Sequence, residues 1–205
     1  MGKTKILIYG GGGQFRVICS ILEKNKVDIE GFFDRNNESS GFNKISYLGE
    51  YDKQISPDSK IIVAIGDNII REKITKKIKH PIGIVIDPDA RISKNVIIGV
   101  GSQIITSSTI NTGAKIGNHC IINTNSSIDH DCIISDFVHV APGAILCGGV
   151  SIGRSTLVGA GTIILPNIKV GDNVVIGAGS LVNKDIPDNT RVFGTPAIVI
   201  DNGKR

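Results

Sequence analysis

Two of the four histidines in the chain lie where their side chains could take part in proton transfer. His130 stands between two carboxylates, in the order Asp129-His130-Asp131, and His139 follows nine residues later. A neutral imidazole near pH 7 can remove a proton from an attacking amine or hydroxyl, and a neighbouring carboxylate can stabilise the imidazolium that forms. His130 is therefore a candidate general base, with Asp131 or Asp129 holding its tautomer.

A glycine-rich segment gives a second chemical signal. Gly10-Gly11-Gly12-Gly13 lies between the apolar segment Lys5–Tyr9 and a segment of helical periodicity, Gln14–Lys24. Bare glycines let the backbone approach a phosphate, and the helix N-terminus supplies N–H donors. Phe15 occupies the third position of the dinucleotide fingerprint, so a nucleotide diphosphate is favoured over NAD; a tight turn without a ligand is the alternative. Asp34 could bind ribose or base, or be a surface turn carboxylate.

The elements around these glycines predict a small Rossmann-like α/β domain over residues 1–86. Strands and helices alternate, and the length leaves room for one mononucleotide-binding half. The predicted strands are Lys5–Tyr9, Val27–Phe33, Lys60–Ile65 and Ile82–Ile86, and the predicted helices are Gln14–Lys24 and Ile69–Lys79.

The rest of the chain, residues 87–205, repeats with a period of six. From Ile92 to Pro187 an aliphatic residue opens each of sixteen consecutive hexads, and a small or apolar residue stands fifth. Each hexad supplies a short strand and a tight turn, and three hexads close a triangular coil that stacks on its neighbours. We expect the first and fifth positions to point inward, and glycine at the second to supply unusual backbone angles. The pattern is typical of a left-handed parallel β-helix with a C-terminal tail.

The phase of the repeat decides which side chains are accessible. Cys120 and Cys132 fall on the inward fifth position, so we interpret them as buried hydrophobes and not as nucleophiles. His130 falls on the outward third position, and His139 lies half a coil away on another side of the rod. The two could meet only across a contact between rods, which a homotrimer would supply. The alternative is a pair of interfacial histidines without catalytic function.

Composition narrows the function classes. The net charge of +4 without a basic run argues against nucleic-acid binding and suits small anionic ligands. Four scattered cysteines without a CxxC motif predict a reduced, cytoplasmic protein. We expect no transmembrane span and no signal peptide. His80, which precedes Pro81, is predicted to be structural or solvent-exposed, and His119 is predicted to be structural.

Five segments together resemble a known family. They are Tyr9–Gly13, Gly31–Asp34, Ala64–Asn68, His130-Asp131 with His139, and Gly194–Ala197. Their combination resembles the hexapeptide-repeat bacterial sugar acetyltransferases, which include the bacillosamine-pathway, perosamine and sialic-acid acetyltransferases. The resemblance covers nearly the whole chain.

The resemblance implies a catalytic arrangement. A nucleotide-activated amino sugar would bind to the small domain, and acetyl-CoA would bind in a groove between subunits of a homotrimer. His130 would be the general base for direct attack on the thioester, and Asp131 would support it. Asn123 would help to position the amine, and His139 would line the site from the neighbouring subunit. No metal is implied.

The resemblance also implies binding residues. The backbone N–H of Gly148 would donate to the acetyl carbonyl, Ala160 and Ala178 would line the CoA arm, and the segment with Pro196 would hold the adenine end. The candidate contacts of the nucleotide sugar are Gly10, Gly12, Gly13, Gln14, Asp34, Arg35, Gly66 and Asn68. The family usually has histidine and a small residue after the glycines; here Gln14 can donate to a phosphate, whereas Phe15 is expected to narrow the turn.

Several functions remain open at this stage. N-acetylation of a nucleotide-linked 4-amino-4,6-dideoxy sugar is favoured, with UDP ahead of GDP or dTDP and then CMP. O-acetylation of a sialic acid or another sugar hydroxyl is the first alternative. A metal-dependent hydratase fits poorly, because the histidine spacings of eleven and nine do not match the 18-residue coil. The last alternative is a trimer without catalytic activity, with a nucleotide-sensing or purely structural role.

Overall fold

A computed structural model describes residues 5–36 and 42–201. Two compact units make up the chain, residues 1–88 and 89–205. Among the described residues, no helix has the length and apolar character that crossing a membrane requires.

The N-terminal unit is built on a parallel sheet of three strands in the order β2-β1-β3. Its elements are β1 Lys5–Tyr9, α1 Gly13–Lys24, β2 Asp28–Phe33, a 3-10 turn Phe42–Lys44, β3 Lys60–Val63, α2 Asn68–Thr75 and β4 Val85–Ile86. Helix α1 buries one apolar face, and the core on the sheet includes Leu7, Phe33 and Ile61. This confirms the predicted α/β fold.

Four elements of this unit are shorter than predicted: β2 by one residue, β3 by two, and α2 and β4 by three each. Helix α2 ends at Thr75, whose hydroxyl donates to the carbonyl of Arg71, and the chain then tightens through a bond from Lys77 N–H to the Ile74 carbonyl. The predicted last strand forms only at Val85–Ile86. Proline and glycine at positions 81 and 83 flank Ile82, which keeps one isolated bridge to Ile61. Proline donates no ladder hydrogen bond and glycine weakens a strand, so pairing is interrupted there.

The C-terminal unit is the predicted β-helix. Its sixteen two-residue strands, β5 to β20, are Arg91–Ile92, Ile97–Ile98, Gln103–Ile104, Thr109–Ile110, Lys115–Ile116, Ile121–Ile122, Ser127–Ile128, Ile133–Ile134, His139–Val140, Ile145–Leu146, Ser151–Ile152, Leu157–Val158, Ile163–Ile164, Lys169–Val170, Val175–Ile176 and Leu181–Val182. An antiparallel hairpin of β21 Arg191–Phe193 and β22 Ile198–Asp201 follows. Parallel pairing joins residues 18 apart, as in Ile122 with Val140.

The strands of the β-helix form three faces. Face 1 contains β7, β10, β13, β16 and β19; face 2 contains β5, β8, β11, β14, β17 and β20; face 3 contains β6, β9, β12, β15 and β18. Every first-position aliphatic from Ile104 to Val182 is buried, as predicted. Cys120 and Cys132 are also completely buried, so neither thiol is available as a nucleophile.

The role expected for second-position glycine was wrong. The left-handed backbone angles occur at the fourth position, for example at His119, Phe137 and Gly143. A β-carbon at the second-position Gly99 would lie 2.5 Å from the backbone of Gly117 in the next coil. Second-position glycines are therefore needed because stacked coils approach closely there, and not because the backbone is unusual.

Candidate active site

His130 lies at the corner between face 2 and face 3, in the turn from β11 to β12. Its side chain is 57% exposed, because the third position of a hexad projects from the rod. The ring atom Nδ1 lies 2.9 Å from Oδ2 of Asp131. An Nδ1–H that donates to this carboxylate leaves Nε2 as a proton acceptor.

The two carboxylates beside His130 make different contacts. Asp131 contacts the ring, whereas Oδ1 of Asp129 accepts the backbone N–H of His130 at 2.8 Å. The hydrogen bond to Asp131, and next the charge of Asp129, raise the pKa of His130 above its usual value. Of the two carboxylates that the sequence left as candidates, Asp131 is the one that contacts the ring.

Gly148 lies one coil after His130, directly against its ring. A β-carbon at Gly148 would be 2.5 Å from Nε2 and 2.6 Å from Cε1 of the imidazole. The His130 carbonyl accepts the N–H of Gly149 at 2.9 Å, which holds the two coils together at this corner. The structure thus brings a predicted donor residue beside the candidate base.

Asn123 and His139 form a second cluster on face 1. Asn123 Nδ2 lies 3.0 Å from Nε2 of His139, and Asn123 Oδ1 accepts the N–H of Thr124 at 2.8 Å. Because the Thr124 amide fixes the orientation of the Asn123 side chain, its Nδ2 donates to His139. The neutral His139 ring then carries its proton on Nδ1.

His130 and the Asn123–His139 pair occupy different sides of one rod. His130 stands at the corner of faces 2 and 3, and His139 opens β13 on face 1. The half-coil separation in the sequence predicts this arrangement. Within a single β-helix, His130 and the Asn123–His139 pair therefore do not meet.

The predicted CoA contacts divide between two corners. Ala160 and Ala178 stack at the corner of faces 1 and 2, where Gly179 N–H donates to the Ala160 carbonyl at 2.8 Å. Thr195 Oγ1, beside Pro196, donates to the Gly179 carbonyl at 3.3 Å. The structure thus groups Ala160, Ala178 and the segment with Pro196, and it places Gly148 with His130 instead.

The glycine loop of the N-terminal unit is closed by Asp34. Oδ2 of Asp34 accepts the N–H of Gly11 at 2.5 Å, and Oδ1 accepts the N–H of Asn36 at 3.0 Å. A β-carbon at Gly10 would lie 2.8 Å from the Ala64 carbonyl oxygen, whereas Gly12 and Gly13 face open space. Gly10 is thus required for packing, and the start of α1 is open to a ligand.

The expectation that Phe15 narrows this loop was wrong. Its side chain is fully buried and points into the core, with its ring 4.6 Å from that of Phe32 and 5.8 Å from that of Phe42. Residue 15 lies in the first turn of α1, on the buried face of the helix, so its bulk is directed away from the loop. Gln14 is half-buried at the start of the same helix.

A cavity of about 410 Å³ opens at the carboxyl ends of the strands. Its lining residues are Tyr9, Asp34, Arg35, Asn36, Ile65, Ile70, Lys73, Ile74 and Lys77. Ligands of open α/β sheets bind at this edge. Asp34 and Arg35 were predicted as contacts, whereas Lys73 and Lys77 were missed, although their spacing of four places them on one face of a predicted basic helix.

Arg71, which the sequence reasoning also missed, fixes the turn between β3 and α2. Its guanidinium is completely buried; Nη1 donates to the carbonyls of Ile65 and Gly66, both at 3.0 Å, and Nη2 donates to Asn68 Oδ1 at 2.8 Å. The predicted contacts Gly66 and Asn68 are therefore held from behind by this side chain.

The other two histidines, His80 and His119, have structural environments. His80 is buried between the Tyr51 hydroxyl and the Ile55 carbonyl, and the His119 ring stacks on Phe137 at 5.0 Å. Burial raises the pKa of the Cys132 thiol to about 11. Within residues 5–36 and 42–201, no three histidine, cysteine or acidic side chains cluster so as to hold a metal ion.

Comparison with known proteins gives two family matches. Residues 5–78 match the PglD N-terminal domain, and residues 149–184 match the bacterial transferase hexapeptide family, with six repeats. No curated protein matches the sequence.

Solved structures match the chain over almost its whole length. The acetyltransferase domain of PglB from Neisseria gonorrhoeae is 31% identical over 97% of this chain and 100% of that chain, with a TM-score of 0.90. The same domain in complex with acetyl coenzyme A is 30% identical over the same shares, with a TM-score of 0.89. A histidine-to-asparagine mutant of perosamine N-acetyltransferase from Caulobacter crescentus, in complex with CoA and GDP-perosamine, is 29% identical over 98% of each chain, with a TM-score of 0.91. WeeI from Acinetobacter baumannii is 26% identical over 96% of this chain and 100% of that chain, with a TM-score of 0.87.

Proposed function

This chain belongs to the hexapeptide-repeat family of bacterial sugar acetyltransferases, and on that premise we propose that it acetylates the amine of a nucleotide-linked 4-amino-4,6-dideoxy sugar. Acetyl-CoA is the donor. The complexes of its relatives with acetyl coenzyme A and with CoA plus GDP-perosamine support this pairing of substrates. We further propose UDP as the preferred nucleotide, ahead of GDP or dTDP and then CMP.

The observation that carries the mechanism is the geometry of His130. Its Nδ1 is held by Asp131 at 2.9 Å, and its Nε2 edge lies against the α-carbon of Gly148. In the proposed reaction Nε2 takes a proton from the sugar amine as the amine nitrogen forms a bond to the thioester carbon. The developing oxyanion accepts the N–H of Gly148.

The second half of the reaction returns the enzyme to its starting state. The carbon–sulfur bond breaks, the CoA thiolate leaves, and it takes the proton held on His130 Nε2. No covalent enzyme intermediate is needed, which agrees with the burial of Cys120 and Cys132. The nearby carboxylates of Asp129 and Asp131 favour the transient imidazolium.

A homotrimer would complete the site. Asn123 and His139 lie on a different face of the rod from His130, so we propose that they come from the neighbouring subunit and position the amine. Acetyl-CoA would extend along the groove between two rods, past Ala160 and Ala178 to Pro196. The N–H groups at Gly12 and Gly13, with the basic cavity at Arg35, would bind the nucleotide diphosphate.

An acceptor panel tests this function. Purified protein is incubated with acetyl-CoA and UDP-, GDP-, dTDP- or CMP-linked 4-amino sugars, or with hydroxyl acceptors, and released CoA is measured. We expect turnover with amino sugars and at least a hundredfold loss in His130→Ala, whose fold is checked by circular dichroism. Lys94 is an exposed third-position residue at the same corner, two coils before His130. The control variant Lys94→Ala should therefore retain full activity.

Two outcomes would contradict the proposal. Turnover of hydroxyl acceptors alone would assign O-acetylation instead. More than a tenth of wild-type activity in His130→Ala would remove the general base from the mechanism.

A further inference from the structure

A stacked amide–carboxylate pair lies beneath the backbone of His130. Asn111 is one coil before Asp129, and its Nδ2 donates to Asp129 Oδ1 at 2.9 Å. The same oxygen accepts the N–H of His130 at 2.8 Å. From this geometry we infer that Asn111 and Asp129 are positioning residues that hold His130 in its catalytic orientation, an inference that rests on the proposed function.

The backbone at this corner needs such support. The residue after His130, Asp131, has a left-handed φ of +59°, a conformation that is unfavourable for most residues other than glycine. In this conformation the Asp131 carboxylate reaches His130 Nδ1 at 2.9 Å. The backbone N–H of His130 donates to Asp129 in its own coil, and its carbonyl accepts the N–H of Gly149 in the next coil. The backbone of His130 is therefore held on both sides.

Asn111 also controls the charge beside the ring. Its hydrogen bond, and next that from the His130 N–H, lower the pKa of Asp129, so this carboxylate remains charged and oriented. The stacked corner residues of the adjacent coils are uncharged: Thr112, Gly113, Gly148 and Gly149. The charges that face His130 from its own turn and its stacked neighbours are thus Asp129 and Asp131.

Asn111→Ala tests the inference. Asn111 is half-buried at the rod surface, so the variant should fold. We expect kcat to fall about tenfold, a fraction of what a general base contributes, with both KM values within about twofold. The NMR titration midpoint of the His130 ring should move to lower pH, because the Asp129 carboxylate loses its anchor. If Asn111 had a purely structural role, its substitution would not move the titration midpoint of His130, and it would not lower kcat while both KM values stay the same.

The chain offers a matched control. Asn118 Nδ2 donates to Asp136 Oδ1 at 3.2 Å through the same one-coil stacking, at the corner of faces 3 and 1. Asn118→Ala should leave kcat and the His130 titration unchanged. Asp129→Asn, which keeps an oxygen that can accept the His130 N–H but removes the charge, should shift the midpoint and retain more activity than Asn111→Ala.

The inference is overturned if Asn111→Ala keeps kcat within twofold and leaves the His130 titration unmoved. It is also overturned if Asn118→Ala produces the same changes. If His130→Ala stays active, the proposed base fails, but the NMR comparison of Asn111→Ala with the wild-type protein still decides whether Asn111 positions the ring.

Discussion

Gly148→Ala should inactivate the enzyme because the added methyl group displaces the proposed base, His130. The added methyl carbon would lie 2.5 Å from Nε2 and 2.6 Å from Cε1 of His130. Non-bonded heavy atoms normally rest about 3.5–4.0 Å apart, so the ring must move by roughly 1 Å. The backbone of Gly148 is not in the left-handed region, and alanine is tolerated there. The perturbation is therefore steric and local.

The size of the effect follows from this displacement. A misplacement of about 1 Å in a catalytic group can reduce the rate by about a hundredfold. Alanine retains the backbone N–H, so the proposed oxyanion donor remains and the loss is due to the ring. We expect kcat to fall by about two orders of magnitude, with a melting temperature close to that of the wild-type protein.

A double-mutant cycle separates this explanation from others. The kcat of Gly148→Ala, His130→Ala and the double variant is measured by CoA release under saturating substrates. Because no ring remains to be displaced, Gly148→Ala should cost little in the His130→Ala background. Wild-type activity in Gly148→Ala, or full additivity of the two changes, would refute the reasoning.

Two further predictions concern charge and the N-terminal unit. The Asp131 hydrogen bond is the largest cause of the raised His130 pKa, so Asp131→Asn should move the acid limb of the kcat/KM–pH profile to lower pH; an unmoved limb would contradict the assignment. Arg71→Met leaves buried carbonyl groups without a donor and should lower the free energy of unfolding by about 1–3 kcal/mol in urea titrations. The same variant should also weaken UDP binding in calorimetry. As a control for stability, Arg35→Met at an exposed position should leave the free energy of unfolding unchanged.

The β-helix was predictable because the position of a residue within the six-residue repeat determines the direction of its side chain. The phase alone places His130 outward and Cys132 inward, and it puts His139 on another face; all three placements agree with the structure. The error at second-position glycine has a physical origin. Glycine recurs at the second position of the repeat for one of two reasons, a left-handed backbone or a close approach between coils, and the sequence pattern is the same for both. In the folded chain Gly99 lies against Gly117, so the close approach is the reason.

The N-terminal unit was less predictable because its contacts join distant segments. Arg71 lies in a basic helical segment whose charged side chains are expected to face solvent. In the structure its guanidinium instead binds two carbonyl oxygens of the preceding turn and the side-chain oxygen of Asn68. Phe15 follows the glycines in sequence, but the helix turns its ring toward Phe32. In both cases the direction of the side chain depends on tertiary packing, and no local pattern contains that information.

Because one coil of the β-helix contains 18 residues, the residues that surround His130 can be predicted from their positions in the sequence. Residues 18 apart stack, so Gly148 meets the His130 ring, Gly113 lies against Asp131, and Asn111 binds Asp129. The same rule excludes a contact between His130 and His139, whose positions differ by half a coil. The groups that contact the proposed base thus come from its own rod, whereas the groups proposed to orient the amine would come from another. Under the proposed mechanism, each chain would fold with its proton acceptor already in place, and the complete site would depend on assembly.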